Sequence, residues 1–344
     1  MAQNKKKILN IFYIFLATHL VLWTVVPTFV NQNLPLDTIE ALAWGSNLDW
    51  GFNKHPPASA FFTEIFFNIF GSQDWAYYLL SQIFVIISFY FVFKLSNEIL
   101  NNLKLSFISV LLLEGIYFYN FTTPEFNVNV AQLPFWSLTV YFTWKIFNKK
   151  EPKVFDLILL GVFAAIGFLS KYLFLYLLIS IDLLFIYLIF VAKERNFQFN
   201  YLITQEVFLL LLIPHLIWLT NNDYVTVIYG FARTGATEFE LLNHIINPII
   251  FLLKQIGILI PFFILLFTLI NKIKYKLNIR DKKILFLIFI NLAPLFLMFA
   301  TSLITGSKIR TMWMTPFYLF IGLFAVYLFK NQINLKKTNN FLIS

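Results

Sequence analysis

Runs of about 20 apolar residues recur along this chain, with short clusters of Lys and Arg between them. A run of that length crosses the hydrocarbon core of a bilayer as one α-helix. A helix also satisfies its own backbone N–H and C=O groups where no water can. The pattern predicts an all-α polytopic membrane protein of about ten transmembrane helices. The expected spans are 8–30, 75–96, 105–121, 126–147, 154–170, 172–191, 204–220, 248–270, 284–305 and 313–330. Charged residues make up 12% of the chain, against about 25% in soluble domains, too few to wrap a globule in water. The run from Ile8 to about Val30 follows Lys5, Lys6 and Lys7. It exceeds the roughly 7–15 residues of a signal-peptide core, so it reads as the first span.

Orientation follows from the basic residues, which favour the cytoplasmic side. All but six of the 26 Lys and Arg fall on alternate loops of one side. That side carries Lys94 and Lys104, Lys145 to Lys153, Lys193 and Arg195, and a cluster from Lys272 to Lys283. Lys330, Lys336 and Lys337 follow near the end. Both termini are then expected in the cytoplasm. The other side holds Lys54, Lys171, Arg233, Lys254, Lys308 and Arg310. The acids Asp37, Glu40, Asp49, Glu64, Asp74, Glu125, Asp223, Glu238 and Glu240 also fall there. The same face carries the two longest interspan segments, about 31–74 and 221–247, where functional groups collect on a rigid scaffold. A formal charge of +9 distributed this way serves topology, and nucleic acid is excluded as a partner. The chain has no cysteine, hence no disulfide or thiolate chemistry. It reads as a single transmembrane domain over 1–344, with no soluble C-terminal domain expected.

After Pro56-Pro57, the residues Phe61, Phe62, Ile65, Phe66, Ile69 and Phe70 recur at helical spacing up to Gly71. About 14 residues cannot span, so an interfacial helix on the outer leaflet is expected. Pro suits its first turn, where a missing N–H costs nothing, and Gly suits its end.

Taken residue by residue, the outer face offers several readings. Asp37 is a carboxylate for acid–base work, or a helix N-cap ahead of Thr38 and Glu40. His55, Lys54, Lys171, Arg233, Lys308 and Arg310 are anion ligands. The bland alternatives are a hydrated loop for His55, a snorkelling chain for Lys171 and lipid headgroup contacts for the rest. Lys171 interrupts a continuous apolar stretch from Val154 to Val191, where a cation is costly, so it belongs in an outer turn or polar cavity. Trp44 and Trp50 belong to an interfacial belt with Trp75, Trp218 and Trp313, or stack on a sugar. Asp182 and Glu114 fall within spans and have no assignment. His19, His215 and His244 lack metal-ligand spacing.

The first outer loop reads Leu36-Asp37-Thr38-Ile39-Glu40, then Leu48-Asp49-Trp50-Gly51-Phe52-Asn53-Lys54-His55-Pro56-Pro57. Thr123-Pro124-Glu125, Gly167-Phe168-Leu169-Ser170-Lys171-Tyr172, Pro214-His215-Leu216-Ile217-Trp218 and Lys308-Ile309-Arg310 with Trp313 and Pro316 follow in order. This series resembles the polytopic glycosyltransferases that use polyprenyl-phosphate sugars. They form the dolichyl-phosphate-mannose protein mannosyltransferase-like superfamily, which includes the bacterial lipid A sugar transferases. The likeness runs over about 8–325. Thr38 stands where a second acid is usual, and Lys54 where an acid that helps hold a metal in some relatives is common.

The resemblance implies a GT-C-like bundle in the inner membrane, with its site facing the periplasm. It implies transfer of a hexose or pentose from an undecaprenyl-phosphate sugar to a glycolipid, lipid A first, among membrane lipids. It further implies Asp37 and Glu40 as catalytic residues and the six basic residues as donor-phosphate ligands. Trp44, Trp50 and Asp49 would contact sugar or acceptor. A divalent metal is possible, and no other cofactor is implied. The rival class is a transporter or flippase of a lipid-linked saccharide, which needs charges at the midplane open to both faces. Here the charges gather on one face.

Overall fold

The computed structural model describes residues 2–194, 198–234, 240–270, 278 and 280–334. The helices are α1 (Ala2–Val30), α2 (Leu36–Gly45), α3 (Ala58–Phe70), α4 (Asp74–Leu100), α5 (Leu103–Leu111), α6 (Val128–Ala131) and α7 (Leu133–Phe147). They continue as α8 (Val154–Ser170), α9 (Leu175–Ile186), α10 (Leu202–Asn221), α11 (Val225–Thr234), α12 (Asn243–Leu269), α13 (Lys282–Thr305) and α14 (Ile321–Phe329). The fold is all-helical, and among the described residues the one β-contact is an isolated bridge between Ile270 and Ile333.

Among the described residues, six helical stretches are long and apolar enough to cross a bilayer: Lys5–Val30, Asp74–Leu100, Tyr172–Val191, Phe199–Asn221, Asn243–Leu269 and Lys282–Thr305. A seventh is a broken pair, Thr311–Tyr318 and Ile321–Phe329, bent by 51°. These match seven of the expected spans. The other three are shorter. Segment 105–121 is helical only to Leu111, then passes through 3-10 turns at Leu112–Gly115 and Tyr117–Tyr119. A Cβ at Gly115 would lie 2.8 Å from the Phe262 backbone of α12. Segment 126–147 divides into α6 and the 15-residue α7, about 22 Å long, which does not cover a core of about 30 Å alone. Helix α8, at 17 residues, is also shorter than the six.

Helix α1 packs on α4, α4 on α7, α7 on α8 and α8 on α10, while α9 and α12 pack on α13. Small residues let backbones approach, as lipid-embedded helices require. Gly322 of α14 is the tightest case: a Cβ there would lie 2.1 Å from the Ser109 carbonyl oxygen. The largest fully buried side chains include Trp136, Tyr77, Tyr78, Tyr119, Phe12 and Phe89.

The short helix expected after Pro56-Pro57 forms. It is α3, capped by Pro57 and ended by Gly71 at φ +67°. Its small, polar face, Ala58, Ser59, Ala60 and Thr63, is the buried one, and Ile65, Phe67 and Ile69 point outward. An outward apolar face is what a helix lying on a bilayer surface presents.

The basic loops expected on one side do converge. Lys145 and Lys149 lie 3.4 and 3.6 Å from the Asp156 carboxylate. Lys282 pairs with Glu194 at 2.9 Å, and Lys283 donates to the Ile99 carbonyl. Arg195, Glu238, Lys272, Lys274, Lys276, Lys336 and Lys337 lie outside the described residues. Within the bundle, Glu114 pairs with His19 of α1 at 3.0 Å, and Asp182 faces outward from α9.

Candidate functional site

A separate set of contacts joins the long segment between α1 and α4 to the turns after α5 and α8. Pro35 starts α2 and makes no side-chain cap, so Asp37 sits inside the first turn rather than capping it. Thr63 of α3 donates to the Ala41 carbonyl, and Thr38 donates to the Phe126 carbonyl at 3.1 Å. Beside that contact the Asp37 N–H donates to Glu125 Oε1 at 3.3 Å, and Asn127 Nδ2 donates to Glu125 Oε2 at 3.3 Å. Two carboxylates, Asp37 and Glu125, therefore share one pocket. Asn127 also caps α6, which carries Asn129. Asn129 Oδ1 accepts from Lys171 Nζ.

Lys171 occupies the break between α8 and the next helical turn, with extended backbone at φ −164°, ψ 134°. It is 7% exposed, and its ammonium lies 5.2 Å from the Trp313 ring centre. A turn between two helices, as its sequence context predicts, is thus what holds it. Lys54 pairs with Glu40. His55 stands edge-on to Trp44, 5.9 Å between ring centres, and Trp44 stacks on Phe52 at 5.2 Å.

The charges act on one another. Burial, then Glu40, raises the Asp37 carboxyl above its ordinary value, while Lys171, Lys54 and Arg233 pull it back. Burial, then Asp37, raises Glu125. Burial pushes Lys171 down to about 7, against the pull of Asp37. His55 is pushed down to about 3, by burial first and then by Lys171, Lys54 and Arg233. It is therefore a neutral hydrogen-bonding group at neutral pH, where the sequence reading took it as a cation. Lys54 is raised, chiefly by its hydrogen bond to Glu40.

Asp37, Glu40, Lys54, His55, Lys171 and Arg233 thus form one electrostatic group. Lys308 and Arg310 stand in a second place. With Arg233 and Lys254 they line a cavity of about 750 Å³, whose other walls include Tyr117, Thr122 and Met312. The Lys308 N–H donates to the Thr234 carbonyl at 2.9 Å, joining the 306–312 loop to α11. Arg233 belongs to both sets. Asp49 Oδ2 accepts from Trp218 Nε1 and Oδ1 from the Trp50 N–H, each at 2.7 Å, so both oxygens serve the loop. Trp50 lies exposed on the rim against Phe61. Among the described residues, no three His, Asp or Glu side chains converge as metal ligands.

Sequence reasoning did not pair Glu125 with Asp37, although the Thr123-Pro124-Glu125 motif marked it. It gave Lys254, Asn129 and His215 no part in the site. A polar residue within an apolar run was the signal available for Lys254 and Asn129, while His215 also stood in the Pro214–Trp218 motif.

Residues 54–218 match the family model described as dolichyl-phosphate-mannose-protein mannosyltransferase. The fold matches the crystal structure of ArnT from Cupriavidus metallidurans bound to undecaprenyl phosphate, with a TM-score of 0.66 and 12% identity. The match covers 96% of this chain and 62% of that one. The apo state of the same ArnT matches with a TM-score of 0.68 and 14% identity, over 96% of this chain and 61% of the other. The chain thus spans about six tenths of the length of the ArnT chains. No curated protein matches in sequence. In sequence over residues 54–218, and in fold over nearly its whole length, this chain is similar to the dolichyl-phosphate-mannose-protein mannosyltransferases and to ArnT.

Proposed function

We propose that this chain is an inverting GT-C glycosyltransferase that takes a sugar from an undecaprenyl-phosphate carrier and delivers it to a glycolipid, with lipid A the first choice of acceptor. The observation that carries the reading is the half-buried Asp37 carboxylate in one electrostatic group with Lys54, Lys171 and Arg233. Transfer from a sugar phosphate needs a carboxylate to take the acceptor proton and cations to receive the departing phosphate.

In the proposed step Asp37 accepts the proton of an acceptor hydroxyl or phosphate. The acceptor oxygen attacks the anomeric carbon from the face opposite the phosphate. The bond from that carbon to the phosphate oxygen breaks, and its electron pair leaves with the phosphate. Lys171, Lys54 and Arg233 balance the new charge, and neutral His55 gives a hydrogen bond. Glu125 lies beside Asp37, which together with burial raises the Glu125 pKa, and it orients the first turn of α2 by accepting from the Asp37 N–H. The Lys254, Lys308 and Arg310 cavity suits the anionic headgroup of the acceptor, with Arg233 between the two substrates. The charge bias supports a site on the periplasmic side of the inner membrane with cytoplasmic termini.

Mass spectrometry of envelope glycolipids with and without the protein tests the reading. A difference of one sugar on lipid A or another glycolipid is expected. Identical glycolipid profiles, together with no turnover of undecaprenyl-phosphate sugars by the purified chain, would refute it.

A further inference from the structure

Two limbs of the candidate site meet on one imidazole. His215, in the last turns of α10, is fully buried, at 0% exposed. Its Nδ1 lies 2.5 Å from the Trp50 carbonyl oxygen and its Nε2 2.7 Å from the Tyr172 hydroxyl. A carbonyl only accepts, so Nδ1 carries the proton. Nε2 then accepts from the Tyr172 O–H, and the neutral ring is satisfied at both nitrogens. Trp50 leads into Lys54 and His55, and Tyr172 follows Lys171 directly.

Neighbouring contacts make the grip firm. The Trp218 ring stacks on His215 at 6.2 Å and 10°, and its N–H holds Asp49. Gly51 lies so close to that indole that a Cβ would sit 2.3 Å from it. Thr226 of α11 donates to the Phe52 carbonyl at 2.5 Å. The turn that lets α11 fold back places two successive non-glycine residues, Asp223 and Tyr224, at φ +49° and +55°. Such backbone persists only where surrounding contacts hold it. Residues 49–52 are therefore clasped side by side by α10 and α11.

The clasp answers a physical need. Lys54 and Lys171 carry like charge, and both lower the basicity of His55. Asp37 attracts both lysines and Glu40 holds Lys54, so the charges alone fix no separation between the two limbs. A neutral ring bonded to both holds them at a fixed separation and adds no charge of its own. We propose that His215 is a positioning residue that sets the spacing between the Lys54–His55 limb and the Lys171 limb of a phosphate cradle. The proposal rests on the polyprenyl-phosphate reading above.

Binding to the full chain in lipid nanodiscs tests it, with undecaprenyl phosphate and the uncharged alcohol undecaprenol as probes. His215→Asn offers an amide where Nδ1 stood and gives up Tyr172. His215→Gln offers one where Nε2 stood and gives up Trp50. Each is expected to weaken undecaprenyl phosphate binding about tenfold, the scale of one lost hydrogen bond. Undecaprenol binding should stay within about twofold, because the chain-binding surface is untouched. Tyr172→Phe, which removes a single atom, should reproduce the fall. Adding it to His215→Asn should cost nothing more, because that bond is already gone. Wild-type affinity for the phosphate in the Asn and Gln variants would overturn the proposal. So would an equal loss for undecaprenol, which marks a general structural lesion, and so would additive losses in the double variant. A wild-type chain that binds phosphate and alcohol equally overturns the polyprenyl-phosphate reading, and the positioning role with it.

Discussion

Replacing Asp37 by Asn removes one charge and keeps size and shape. General-base assistance is worth about 10²–10⁴-fold, or roughly 3–5 kcal/mol of barrier, and kcat should fall by that factor. A second effect follows from the neighbours. Asp37 is the group that supports the charge on Lys171, whose pKa burial has already pushed down to about 7. At pH 7 that lysine is about half protonated, and without Asp37 it is less so. Donor KM should therefore rise at pH 7 as well. The two effects separate with pH. At pH 6 Lys171 regains its proton, so binding of undecaprenyl phosphate should approach that of the wild type while kcat stays low. Turnover of an undecaprenyl-phosphate sugar by the purified chain at both pH values is the assay. A kcat near wild type for Asp37→Asn at pH 6, with binding intact, refutes the proposed mechanism.

The profile of kcat/KM against pH should be bell-shaped. It rises as Asp37 loses its proton above its raised pKa and falls near pH 7 as Lys171 loses its own. Lys171→Arg should abolish the falling limb, because a guanidinium stays charged, and an unchanged limb would assign it elsewhere. Glu40→Gln should lower the Asp37 pKa and move the rising limb to lower pH, since the neighbouring like charge that raises it is lost; an unmoved limb would uncouple the two. Gly322→Ala should destabilise by about 1–3 kcal/mol, because its Cβ would meet the Ser109 carbonyl, and thermal unfolding in detergent measures it. A cysteine introduced at Leu277 of this cysteine-free chain should resist an impermeant outside reagent in spheroplasts; labelling would reverse the orientation.

Seven spans and the short helix α3 were legible because each depends on local pattern. Apolar length marks the spans, while Pro56-Pro57 and Gly71 bracket α3. The three short segments were not. The run through 105–121 is apolar apart from a few polar residues, and its break falls where Gly115 meets α12, a contact that periodicity does not encode. Within the site, Asp37 stood out by its place after the first span, and Lys171 by its cost in an apolar stretch. The pairing of Asp37 with Glu125 joins positions 88 residues apart, which no spacing rule reaches. Lys308 and Arg310 shared charge sign and side with Lys171, but only three dimensions separate their cavity from the Asp37 group. His55 was read by residue type as a cation, and its neighbours make it neutral.

The bond between His215 and Trp50 joins residues 165 apart in the chain. At translation rates of about 5–20 residues per second, the first loop emerges some 8–33 s before its clasp exists. During that interval Trp50, Phe52 and the Phe-rich α3 have no partner from α10 or α11. The apolar face of α3 needs another cover meanwhile, and a lipid surface has the chemistry that suits it. Insertion of α10 then closes the site as a late event of biogenesis. A ribosome-stalled chain ending before Pro214 would carry the loop but not the finished pocket.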